Sequence, residues 1–324
     1  MANIIKRLQE RGVLQDVNVP AWLPDNIQYL TMMGSHAYGV NREDSDYDVY
    51  GFVIPPKEII FPHTAGQVIG FGTYKHNKQR WNIWKDGGEA PVLVVDPDNG
   101  KEYDFSVYNI VDYFQLVMEG NPNMIDSLFT PAECVLHSTR VGEMIRDNRH
   151  LFLTKKVWHT FKGFAYQQMR KMGSMKRTGK RKESVEEHGF DLKFAYHVVR
   201  VLNEVEQLLT EGDLDLRRNR EQLKSIRNGE WTKEQVESYF ARKETELEVA
   251  YNESKLPWGI EEDGRQDKIR RLLFACIEEH YGSLSKFGVV EPDAATLALG
   301  EVTKVLERYQ TQLQEANETS KDGS

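Results

Sequence analysis

The chain has 324 residues, 40% of them hydrophobic, and a formal net charge of -8. That is enough for two domains, or for one core with a large extension and a sizeable interior. With no apolar run near the roughly 20 residues that span a bilayer, no signal-peptide core and no zinc-type histidine spacing, a membrane protein, a secreted one and a structural zinc site are not expected.

The two cysteines, Cys134 and Cys276, lie far apart in the chain and are expected to be reduced core residues of a cytoplasmic protein. An acidic chain is not coated for nucleic acid, so such a partner would need a local basic patch.

Residues 3 to 15 predict a short amphipathic helix with Ile4, Ile5, Leu8 and Val13 apolar, ended by Pro20 and Pro24. Tyr29 to Met33 reads as a strand. It stops at Gly34-Ser35, small residues that let backbone amides approach a phosphate. A turn with Gly39, Asn41 and Asp44 follows, and a second strand opens at Asp46 and runs through Phe52-Val53-Ile54. Strand side chains alternate, so Asp46 and Asp48 share a face. Two adjacent carboxylates repel unless a divalent cation sits between them, and hard oxygen donors suit magnesium or manganese. Asp-x-Asp spacing alone does not select this site. Asp96-Pro97-Asp98 runs into Asn99-Gly100 and reads as a hairpin turn, and Asp213-Leu214-Asp215 lies beyond Gly212 at a helix end.

Gly34-Ser35, a short gap and then Ser45-Asp46-Tyr47-Asp48-Val49 resemble the signature of the DNA polymerase beta-like nucleotidyltransferase superfamily. The fuller string, from Gly34-Ser35 through Ala37-Tyr38-Gly39 to Asp44-Ser45-Asp46, is similar to a bacterial and bacteriophage family of predicted nucleotidyltransferases, some of them associated with RNA repair. The resemblance implies an α+β fold. A small mixed β-sheet core with flanking helices would occupy 1–131. The residue pattern, rather than the resemblance, adds an all-helical domain over 132–314, with a basic loop at 170–182 and a flexible tail at 315–324. The resemblance also implies a nucleoside triphosphate substrate and Mg2+ or Mn2+ held by Asp46 and Asp48. No Gly-x-x-x-x-Gly-Lys-Ser/Thr string is present, which excludes a P-loop ATPase.

Residues 57–90, with the aromatic cluster Trp81, Ile83 and Trp84, predict a loop-rich insertion or lid. Pro91 to Val95 and Lys101 to Tyr108 predict a hairpin. Asp104 falls on the polar face of its second arm, where the resemblance puts a third carboxylate. Glu102, two residues away on the same face, is the rival. A helix capped by Asn109, with Asp112 at its third position, should close at Gly120. The Asn121-Pro122 element beyond it reads as architectural.

From about 131 onward the pattern is helical. Lys155 to Met172 is one helix, and the stretch from Arg170 to Lys182 has no acid. Lys176, Arg177, Lys180, Arg181 and Lys182 there are either a solvated loop or an arm for triphosphate or a nucleic-acid backbone. Phe190 to Gly212 is the next helix, and Lys193, His197 and Arg200 share a face at i, i+4 and i+7. The string they form with Asp191 also resembles the family's second motif, so the three are expected at the nucleotide phosphates, with Gly34 and Ser35, or at the acceptor, the other reading being a solvated helix face. Thr232 to Gln235 starts a long helix with a capping box, and further helices follow at 263–281 and 293–314.

The activity implied is metal-dependent transfer of a nucleoside monophosphate to an acceptor hydroxyl on RNA, with Asp46, Asp48 and Asp104 catalytic. The alternatives are nucleotidylation of a protein, or a non-catalytic nucleotide- or RNA-binding module. No membrane partner is expected, and the place of work is the cytoplasm, the host's if the gene is phage-borne.

Overall fold

The computed structural model describes residues 3–14, 19–43, 45–57, 80–82, 94–96, 100–173 and 180–282. The chain divides into a unit of Met1–His280 and a second of Tyr281–Ser324. The expected helix at 293–314, the tail at 315–324 and most of the 57–90 insertion lie outside the described residues.

Six strands form one mixed sheet: β1 Ile27–Met32, β2 Tyr47–Val53, β3 Arg80–Asn82, β4 Val94–Val95, β5 Glu102–Asn109 and β6 Val135–Ser138. The order is β3-β5-β2-β1-β6, with β4 also on β5. Only β2 and β5 run parallel among the described pairs. The predicted hairpin is present as Val94 and Val95 opposite Tyr103 and Glu102. Within the 57–90 stretch, Arg80–Asn82 pairs along the end of β5 and extends the sheet.

One face of the sheet is covered by α1 Ile4–Glu10, which Asn3 caps by accepting from Lys6 N at 3.0 Å. Ile4, Ile5 and Leu8 of α1 join Leu30, Val49, Val53, Phe105 and Val107 in a core from which water is excluded. The alternating positions Asp48, Phe52 and Asp104 therefore point to the opposite face. There Phe52 packs on Tyr113 with ring centroids 4.7 Å apart. Tyr113 belongs to α3 Ile110–Met118, capped as predicted by Asn109, which accepts from Asp112 N at 2.9 Å. Asn121 caps α4 Pro122–Leu128, whose first residue is the proline, so the Asn-Pro element is architectural.

The strand β6 corrects the expectation of an all-helical chain after 131. Val135–Ser138 pairs antiparallel with β1 as an edge strand. Four half-exposed residues carry too little alternation to be read from pattern. The chain then forms α5 Arg140–Asp147, α6 Lys156–Met172, α7 Lys180–His188, α8 Leu192–Glu211, α9 Arg220–Arg227, α10 Lys233–Glu253 and α11 Arg265–Tyr281. The apolar stripe of α8 packs on α6, α9 and α10. Asp191 caps α8, and Gly212 ends it with φ +67°. The capping box of Thr232 and Gln235 opens α10 as expected. Cys134 and Cys276 are both buried and free. No helix among the described residues is long and apolar enough to cross a membrane.

Candidate active site

The site begins where β1 ends. Met33 N donates to Asp48 O at 2.6 Å, which brings the next residue, Gly34, against the Asp48 side chain. Gly34 has φ +59°, and a Cβ at that position would stand 2.0 Å from Asp48 Oδ2. Both the left-handed backbone and the close approach require glycine. A short helical turn, α2 Gly34–Ala37, follows, with Ser35 buried in it.

Asp48 lies directly opposite Asp104 in the parallel register of β2 and β5. Neighbouring strands are about 4.8 Å apart, so two aligned residues on one face lie side by side. Asp46 sits just before β2. Burial pushes the Asp48 carboxyl up to about 6. The charges of Asp46 and Asp104 add to the shift, and Lys193 opposes it. Glu102 is exposed at the start of β5 and opposes Val95 instead. It is Asp104 that the register pairs with Asp48.

Asp46, Asp48, Gly34 and Ser35 line one end of a cavity of about 240 Å³. Lys193, Phe194, Tyr196 and His197 of α8 line it too, with Asn123 of α4 and Phe164 and Gln168 of α6. A larger cavity of about 610 Å³ lies at α1, β1, β6 and the end of α11. Its charges are matched, Lys6 to Asp25 and Arg140 to Glu279, whereas the first cavity holds two acids, Asp46 and Asp48, close together.

Among the described residues, no three His, Cys, Asp or Glu side chains close around a single point as a ready-made metal site. The residues nevertheless fit a hard divalent cation in two respects. The donors are carboxylate oxygens, with no thiolate beside them. The Asp48 carboxyl is raised by burial first and by the Asp46 charge next, and a bound cation would offset both.

Arg217 buttresses the turn from outside. Its Nε donates to Ala37 O at 3.2 Å and its Nη2 to His36 O at 3.0 Å, satisfying carbonyls at the end of α2. Arg227 Nη1 donates to Val40 O at 2.8 Å. Neither arginine was singled out by the sequence pattern, because both act from a distant, charge-rich segment.

The three residues of the α8 stripe all line this cavity but differ in burial. Lys193 is exposed and His197 half-buried, but Arg200 is 2% exposed. Arg200 Nη1 donates to Asp126 Oδ2 at 2.5 Å, to both Glu204 oxygens at 2.9 Å and to the Tyr38 hydroxyl at 2.8 Å. Tyr38 in turn donates to Asp126 Oδ2 at 2.8 Å. Arg200 thus lines the cavity while its guanidinium ties α8 to α4 and to the residue after α2. Burial raises both Asp126 and Glu204 above the usual carboxylate range, Glu204 the further.

The basic stretch divides differently from its prediction. Lys176 and Arg177 lie outside the described residues, whereas Lys180 and Arg181 open helix α7. Lys182, in the same helix, is exposed and pairs with Glu186 at 3.5 Å.

The match to known proteins agrees with this geometry. Residues 3–262 match the model of the RNA repair pathway DNA polymerase beta family, RlaP. The chain belongs to this family. Membership in RlaP supports a nucleotidyltransferase-type function. The match takes in the sheet, both carboxylate-bearing strands and the helices through α10. Enterobacteria phage T4 encodes a similar protein, an uncharacterized 38.9 kDa product of the nrdC-mobD intergenic region. It is 28% identical to this RlaP member over 142 residues, 43% of this chain and 37% of the relative. The chain thus covers well under half of the phage protein's length.

Proposed function

We propose that this protein is a metal-dependent nucleotidyltransferase that moves a nucleoside monophosphate from a nucleoside triphosphate to a hydroxyl on RNA. The observation that carries the reading is the parallel register of Asp48 and Asp104 beside the Gly34 turn. The family's RNA repair description supports RNA as the acceptor.

Asp46, Asp48 and Asp104 would hold magnesium or manganese, which when bound neutralises phosphate charge and lowers the pKa of an acceptor hydroxyl. The backbone amides of Gly34 and Ser35 bind the β- and γ-phosphates. Lys193 and His197, on the same cavity wall, offset the charge of the departing pyrophosphate. Asp104 accepts the proton of the acceptor hydroxyl as its oxygen bonds to the α-phosphorus and the α–β bridge breaks. Arg200 acts by positioning, through Tyr38 and Asp126, rather than by touching phosphate. Lys182 and its basic neighbours Lys176, Arg177, Lys180 and Arg181 meet the RNA backbone as point charges. The reaction takes place in the cytoplasm, where its RNA is.

The test incubates the protein with each of the four α-labelled triphosphates, magnesium, and a mixture of total RNA and cell proteins. The reading expects label in RNA, abolished by EDTA. Label in protein would replace the acceptor, and no label in either would remove the activity.

A further inference from the structure

The buried stripe of α6 runs Val157, Phe161, Ala165, Gln168, Met172 at helical spacing. Four of those positions are apolar and one is an amide. Gln168 is only 4% exposed, yet its side chain makes no hydrogen bond among the described residues. An amide retained for packing is normally bonded within the protein. Gln168 instead lines the cavity shared with Asp46 and Asp48. Phe164 lies one turn before it on the same helix face and lines that cavity as well, as does Phe194 from α8.

An amide presents one donor and one acceptor side by side. Every nucleobase has an edge with the complementary pair, and an aromatic ring beside it offers a stacking surface. The carboxylates and the Gly34 turn hold the phosphate end of the same cavity. We propose that Gln168 recognises the base of the bound nucleoside triphosphate and sets which triphosphate is used, an inference that rests on the nucleotidyltransferase reading above.

Equilibrium binding of ATP, GTP, CTP, UTP and inorganic tripolyphosphate, each with magnesium, to the full chain tests this. The wild type should favour one triphosphate by about tenfold or more, the usual effect of a buried hydrogen-bonded recognition group. Gln168→Leu should bring the four to within about threefold of one another while leaving tripolyphosphate binding unchanged. Gln168→Glu, which keeps the shape and removes the donor, should reorder the four. The inference is overturned if either variant keeps the wild-type ranking, if the wild type has no preference, or if Gln168→Leu weakens tripolyphosphate as much as the triphosphates. A wild type that binds none of the five overturns the nucleotidyltransferase reading as well; one that binds them regardless of residue 168 overturns only the base assignment.

Discussion

Asp48 and Asp104 face each other across the one parallel strand pair among the described strands, and burial raises the Asp48 carboxyl to about 6. A parallel pair aligns residues of two segments far apart in sequence without a hairpin. Here it sets an acid from the strand after the glycine turn beside one from the strand before α3. The same alignment leaves Glu102 at the exposed end of β5.

That difference separates the two acids in function. Asp104→Asn should lower nucleotide transfer by about a hundredfold or more, the scale for losing an electrostatic group at a reaction centre. Glu102→Gln should retain wild-type transfer. Side-by-side rates with labelled triphosphate check both. Loss in Glu102→Gln with retention in Asp104→Asn would exchange their roles.

Gly34→Ala adds a methyl group where only 2.0 Å separates the site from Asp48 Oδ2, on a backbone with φ +59°. The left-handed backbone alone costs an alanine roughly 1–2 kcal/mol. The displaced Asp48 side chain should also remove activity. Urea denaturation and transfer assays on the same preparation should therefore both show a loss. The predicted pattern is a lower unfolding midpoint together with inactivity, whereas loss of neither would separate the turn from the carboxylate.

The buried cluster predicts opposite effects from its two kinds of partner. Arg200→Met leaves Asp126 and Glu204 without their cation and should cost about 3–5 kcal/mol, as for other broken buried pairs. Glu204→Gln removes one of two competing acids and should raise the melting temperature near neutral pH. Burial lifts the Glu204 carboxyl well above its ordinary 4.5, against the opposing effect of Arg200. An acid with a raised folded-state pKa binds its proton more tightly when folded. Its contribution to stability is therefore full below the unfolded value and declines as pH rises toward the folded one. The advantage of Glu204→Gln should accordingly be largest at about pH 8 and shrink toward about pH 5 in calorimetric scans. An advantage that grows on acidification would reverse this assignment.

Much of the site is legible in the sequence because its signals are local. The Gly34-Ser35 stop, the alternation that puts Asp46 and Asp48 on one face, the Asn109 cap and the Thr232 capping box each depend on neighbours within a few residues. What the sequence leaves unread depends on distant partners. Lys193, His197 and Arg200 do lie on one side of α8, but the helix runs from solvent into the interior, so spacing alone cannot assign them one environment. Arg200 finds Asp126 across 74 positions. Gln168 reads as one polar residue beside an apolar stripe, and only the packed helix makes it a buried amide. The strand β6 is too short and too exposed to alternate visibly.

The most direct measurement is the transfer rate of Asp48→Asn beside the wild type, on labelled triphosphate and RNA with magnesium, with a melting curve of each. Asparagine keeps the shape against Gly34 and removes a carboxylate that burial disfavours. The account predicts a melting temperature at or above that of the wild type and transfer reduced to background. A folded Asp48→Asn that transfers nucleotide at the wild-type rate would contradict it.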